Sequence, residues 1–120
     1  MSLTLLAYVL NNHGVAAETV ICTYRVMPGQ EEAFVDLLRR HWPTLHSLGV
    51  VTDEPAQIFR SLDTPTTFVE IFTWADAGYL RAREHPDVLA IWEPMEQLCE
   101  ERDGRPSMEF PHFETVLLHA

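Results

Sequence analysis

The side chains with the greatest chemical reach are a carboxylate, Glu70, set among Phe68, Phe72 and Trp74, and three histidines, His41, His46 and His85. Alternate residues of a strand share a face, so Glu70 and Trp74 stand on the same side of Thr67–Trp74. A carboxylate in an apolar pocket acts as a base toward an acidic C–H or a phenol. In a structural role it pairs instead with an arginine, here Arg25 or Arg60. His41 and His46 are five positions apart, a spacing that does not align two ligands on one helical face. Pro43 between them offers a rotation that would bring them closer. No CxxC, HExxH or acidic calcium loop is present, so no metal centre is expected. Glu100, Glu101 and Asp103 are the charges of a solvated helix end. Tyr24, Trp42, Phe59, Phe72, Tyr79, Trp92 and Phe110 form an aromatic set, which serves either as core or as the wall of a pocket for a flat hydrophobic ligand. There is no Gly-rich phosphate loop and no GxSxG elbow. Nucleotide cofactors and a serine nucleophile are therefore not expected, and no cofactor is assigned.

Composition narrows the partners. The net charge is −10, and every basic residue is an arginine. Neither a nucleic acid nor an anionic membrane surface suits such a chain, because both require phosphates to be neutralised. The absence of lysine excludes Schiff-base chemistry and pyridoxal-type catalysis. An arginine-only basic set also fits a GC-rich bacterial genome. The two cysteines, Cys22 and Cys99, form no CxxC unit. They are expected to be reduced, buried thiols of a cytoplasmic protein.

The elements that must position these residues follow from periodicity and punctuation. Thr19–Met27 is rich in β-branched and aromatic residues and predicts a strand. Pro28-Gly29 ends it, and Gln30-Glu31-Glu32 opens a helix with acids at its positive end. Phe34, Leu37, Leu38, Leu45 and Leu48, with Trp42, keep helical spacing up to Gly49. Pro43 predicts a kink or restart within it. Ala56–Leu62 and Thr67–Trp74 predict a hairpin around Asp63–Thr66. Asp76 is the expected N-cap of a helix over Ala77–Glu84. Pro86 is the first residue of the next helix. That helix carries Val88, Ile91, Trp92, Met95, Leu98 and Cys99 on one stripe, with a kink expected at Pro94. Met108–His119 predicts the last strand, bent near Pro111.

The order β-α-β-β-α-β is that of the ferredoxin-like α+β fold, one antiparallel sheet with helices on one face. One domain is expected over residues 19–120, preceded by an extension over residues 1–18. Within the extension, Leu3–Leu10 is apolar but too short to span a bilayer, and no basic residue precedes Arg25. It predicts an extra strand or a clasp on a partner, turned by Asn11–Gly14. Both faces of Thr67–Trp74 carry apolar residues, so a second copy of the chain is expected to cover the face that the helices leave open.

The strand ending in Pro28-Gly29-Gln30-Glu31-Glu32 resembles the first unit of the dimeric α+β barrel superfamily. Thr73-Trp74-Ala75-Asp76, followed by Leu80 and Glu84-His85-Pro86, resembles antibiotic biosynthesis monooxygenase-like domains. The resemblance runs from about Thr19 to His119. It implies a homodimer with a cleft between sheet and helices that holds a small aromatic or polyketide-like substrate. A cofactor-independent oxygenase is the leading expectation. The alternatives are a non-catalytic dimeric ligand-binding or stress-associated protein, and a structural dimer whose cleft is filled by its own aromatics. In the cofactor-free oxygenases the tryptophan resembling Trp74 accompanies an asparagine four residues earlier, where this chain has Glu70. An amide donates hydrogen bonds to an enolate or peroxide, and an ionised carboxylate cannot. In the haem-degrading branch the histidine resembling His85 ligates iron alongside an asparagine on strand 1, and Thr19–Met27 contains no asparagine. The candidate catalytic residues are Trp74, as a wall or an indole N–H donor by the resemblance, and Glu70, which departs from the family pattern, as a base or orienting group. His85 and His46 are candidate proton carriers, and Tyr24, Trp42, Phe59, Phe72, Tyr79 and Trp92 the substrate wall.

Overall fold

The computed structural model describes residues 18–118. The proposed strand or clasp at Leu3–Leu10, with its turn, lies outside the described residues. Strand β1 covers Glu18–Arg25 and helix α1 covers Glu31–Ser47. A hairpin follows, β2 (Gln57–Arg60) and β3 (Thr67–Trp74). Helices α2 (Gly78–Ala82) and α3 (Pro86–Gln97) lead to two short strands, β4 (Met108–Glu109) and β5 (His112–Phe113). The five-stranded antiparallel sheet has the order β2-β3-β1-β4, with β5 also paired to β1. This is the ferredoxin-like α+β arrangement, and the sheet is open rather than closed into a barrel.

Alternation decides which face is buried. Phe68, Glu70, Phe72 and Trp74 of β3 are buried, while the residues between them are half-exposed. Across the strand pair, Val20, Cys22 and Tyr24 of β1 face the same way. Helix α1 lays Phe34, Leu37, Leu38, His41 and Leu45 on this face, and α3 adds Val88, Ile91 and Met95. Gly49 ends α1 with a φ of 71°, the left-handed conformation expected just past a helix end.

Several expectations are corrected. Both helices continue through Pro43 and Pro94 with no restart. Each proline removes one helical hydrogen bond, to the carbonyls of Arg39 and Ala90, and both of those residues are exposed, so water takes over. Asp76 is not the cap of α2. The N-cap position is Ala77, at a φ of 52°, and no side chain bonds there. The packing of Gly78 explains this start, because a Cβ on Gly78 would sit 2.0 Å from the Val50 carbonyl oxygen. The last strand is interrupted. Pro111 lacks an N–H for the ladder, and only β4 and β5 pair with β1, on either side of Phe110-Pro111.

Candidate functional site

A cavity of about 340 Å³ opens between the sheet and the helices. Its floor is the buried face of the sheet, with Val20, Cys22 and Tyr24 from β1 and Phe72 and Trp74 from β3. Helix α1 contributes His41, α2 contributes Tyr79, and α3 contributes Trp92, Met95 and Glu96. The C-terminal strands close one side with Met108, Phe110 and His112. The wall is continuous aromatic surface. Trp74 meets Phe72, Tyr79 and Trp92 edge-on at centroid distances of 5.0, 5.8 and 6.4 Å. Tyr79 and Trp92 stack at 6.3 Å.

Glu70 lies directly behind this wall, with no exposure to solvent. Its carboxylate pairs with neither Arg25 nor Arg60. Arg25 bonds Glu109 and the Pro106 carbonyl, and Arg60 lies over the Phe68 ring. The partners of Glu70 are Tyr24, whose hydroxyl donates to Oε1 at 2.7 Å, and His41, whose Nδ1 is 2.9 and 3.1 Å from the two oxygens. The far side of the imidazole is fixed by Trp92, whose indole Nε1–H donates to His41 Nε2 at 2.8 Å. An indole N–H only donates, so Nε2 is the acceptor and the ring proton sits on Nδ1, donating to Glu70. His41 is therefore the neutral Nδ1–H tautomer, and its contact with Glu70 is a hydrogen bond to a carboxylate rather than an ion pair.

The buried charge shapes its neighbours. Burial, and then the negative charge of Glu70, push the Tyr24 hydroxyl well above its ordinary pKa and raise the Cys22 thiol strongly. Cys22 is the residue opposite Glu70 in the β1–β3 register. Neither group is an anion at neutral pH. Both cysteines are free thiols, and burial, partly offset by the Arg102 charge and a backbone hydrogen bond with Arg25, leaves Cys99 raised to about 11. Trp74 is 4% exposed, and its indole N–H has no hydrogen-bond partner among the described residues.

Of the residues singled out in the sequence, Tyr24, Phe72, Trp74, Tyr79 and Trp92 line the cavity, as do His41 and Phe110, and Glu70 backs it. The others lie elsewhere. His85 is the N-cap of α3, where its Nδ1 accepts from the Asp87 N–H at 3.1 Å. His46 is exposed, bonds Asp53 at 2.9 Å and stacks on Trp42 at 4.6 Å. Trp42 packs half-buried against the core and does not line the cavity. Phe59 is half-exposed on the edge strand β2. The residue for which sequence reasoning found no partner is His41. It belongs with Glu70, not with His46. The signal was present, because His41 follows Leu37 and Leu38 at helical spacing on the apolar stripe. Two polar residues on two apolar faces need each other when those faces meet.

Among the described residues no three His, Cys, Asp or Glu side chains converge as a metal would require. No helix there is long and apolar enough to cross a membrane.

Neither a protein-family model nor a curated protein sequence matches the chain. Solved structures do. An antibiotic biosynthesis monooxygenase-like protein from Bordetella bronchiseptica superposes with a TM-score of 0.67 at 16% identity, covering 84% of this chain and 98% of that one. A similar protein from Nitrosomonas europaea gives 0.68 at 15% identity, covering 87% and 94%. SnoaB, a cofactor-independent oxygenase from Streptomyces nogalater, gives 0.66 at 17% identity, covering 84% and 94%. At these identities the likeness concerns the backbone. The chain has the ferredoxin-like fold of the antibiotic biosynthesis monooxygenase-like proteins.

Proposed function

We propose that this chain binds a flat aromatic or polyketide-like molecule in the sheet–helix cavity and oxidises it with dioxygen without a cofactor. The observation that carries the reading is the cavity between sheet and helices, walled by Tyr24, Phe72, Trp74, Tyr79 and Trp92. Glu70 acts from behind the wall, holding His41 and Tyr24 in place. An anthrone-like substrate loses a proton from its activated CH₂ to solvent water, and the resulting carbanion is oxidised by dioxygen. The balance is one CH₂ plus one O₂ giving one carbonyl plus one water. The likeness in fold to SnoaB supports this class of chemistry.

Oxygen uptake with anthrones tests the reading. Uptake matched one-to-one by quinone product, and weakened in Trp74→Phe, is the expected result. Anthrone recovered unchanged from a saturated complex would overturn the enzymatic part. One observation favours that second outcome, binding without turnover. His41 Nε2 and the Glu70 carboxylate are already satisfied by internal partners.

The functional unit in this reading is a homodimer. The second sheet face carries half-exposed Ile21, Val69 and Ile71 and exposed Phe59, which share one side by register. A second copy of the chain covers it.

A further inference from the structure

We infer that His41 Nε2 is the acceptor for a neutral hydroxyl of the bound molecule, a phenol or an enol, and that the Trp92 indole N–H is a stand-in which this hydroxyl displaces. The inference rests on the aromatic-ligand reading of the cavity. It adds a recognition atom and a ligand class that the reading alone does not supply.

His41 is buried on the cavity wall and has one proton and one lone pair in its ring plane. The proton is committed to Glu70 at 2.9 Å. The lone pair is occupied by Trp92, another residue of the same wall. Trp92 is half-buried and rests on Tyr79, so the ring keeps a stacking surface when its N–H lets go. A phenol is a stronger acid than an indole, and its O–H makes the stronger bond to imidazole nitrogen. The exchange therefore runs toward the ligand, and the freed indole N–H becomes a second donor facing it.

The charge behind the ring selects among aromatic ligands. Glu70 places a carboxylate on the far side of His41, which makes Nε2 a better acceptor and repels anions. A carboxylate or phosphate on the ligand has no proton to offer Nε2 and meets a like charge. A methyl ether has no donor at all. The hydroxyl-bearing neutral aromatic is the ligand that satisfies the wall.

Calorimetric titration of the wild-type protein with 1-naphthol, 1-methoxynaphthalene and 1-naphthoate tests this. Naphthol is expected to bind about tenfold more tightly than either analogue, the size of one well-made hydrogen bond to a fixed acceptor. In His41→Phe the naphthol preference disappears while methoxynaphthalene still binds. Nitrogen-15 NMR of the wild-type ring gives a readout independent of any variant. His41 shows the Nδ1–H tautomer in the free protein, and Nε2 shifts with naphthol but not with the ether. Equal binding of naphthol and ether, or an unmoved Nε2, overturns the role of His41 and leaves the aromatic cavity standing. Failure of all three compounds to bind overturns the cavity reading itself, and this inference with it.

Discussion

His41 Nδ1 lies 2.9 Å from Glu70 Oε1, although the two residues are 29 positions apart and sit on different layers of the fold. Each is a polar residue on an otherwise apolar face, and neither face can be buried without the other. The pair, with Tyr24 at 2.7 Å, is the polar centre of the core. Removing one partner leaves the others buried and unsatisfied. Glu70→Ala is expected to cost about 3–5 kcal/mol, because it strands two donors and opens a void. Tyr24→Phe removes a single hydrogen bond and is expected to cost about 1 kcal/mol. Urea unfolding of both variants measures this, and an Ala variant no weaker than Phe would contradict the assigned network.

The raised thiol and phenol make a prediction about pH. Cys22 and Tyr24 are held in their neutral forms by burial and then by the charge of Glu70, with folded pKa values above those of the unfolded chain. In the window above about pH 9 the unfolded state sheds these protons while the folded state keeps them. Stability is then full below that window and falls as pH rises through it. Each group contributes a slope of up to about 1.4 kcal/mol per pH unit. Cys22→Ala should flatten the alkaline decline measured by denaturant midpoints at pH 8 to 10.5. An unchanged decline would remove Cys22 from the account.

The thiols also differ in access. Cys22 is 1% exposed and Cys99 is half-buried with a pKa pushed up to about 11. Iodoacetamide at pH 8 should label Cys99 slowly and Cys22 only on global unfolding, as read by peptide mass spectrometry. Labelling of Cys22 at the rate of Cys99 would show that the sheet opens locally around Glu70.

The β-α-β-β-α-β order was legible because strand alternation and helical stripes are local patterns. The buried face of β3 was legible for the same reason. What local patterns do not show is which polar residues meet across layers. Glu70 had an arginine as its expected structural partner, since Arg25 and Arg60 lie on neighbouring strands. Arg25 instead faces the open side of the sheet with Glu109, and His41 arrives from α1. Pro43 does not restart its helix, since the one hydrogen bond it removes falls on Arg39, an exposed residue that water can serve. Asp76 failed as a cap because the close approach of Gly78 to Val50, a contact between distant segments, fixes where α2 begins.

That contact carries its own prediction. A Cβ on Gly78 would lie 2.0 Å from the Val50 oxygen and 3.3 Å from the Trp74 ring. The first neighbour is backbone and cannot swing aside. Gly78→Ala should cost about 1–3 kcal/mol and displace α2, which bears Tyr79. Thermal melting and naphthol affinity should both fall. A variant with wild-type melting would show that the α2 start tolerates a larger separation than the packing implies.

The open sheet face gives the last prediction. Thr19, Ile21, Val69, Ile71 and Thr73 are half-exposed, and Phe59 is 52% exposed beside Val69 in the register. This is a contiguous surface of β-branched and aromatic side chains with no helix over it among the described residues. A single copy leaves that apolar area in water, and two copies face to face remove it from water on both at once. Sedimentation velocity at micromolar concentration should give a dimer. Val69→Lys places a charge at the centre of that surface, on a residue that contributes nothing to the cavity. It should yield a folded monomer, with circular dichroism unchanged. If Val69→Lys sediments as wild type does, the two copies meet elsewhere, and the open face must have another cover.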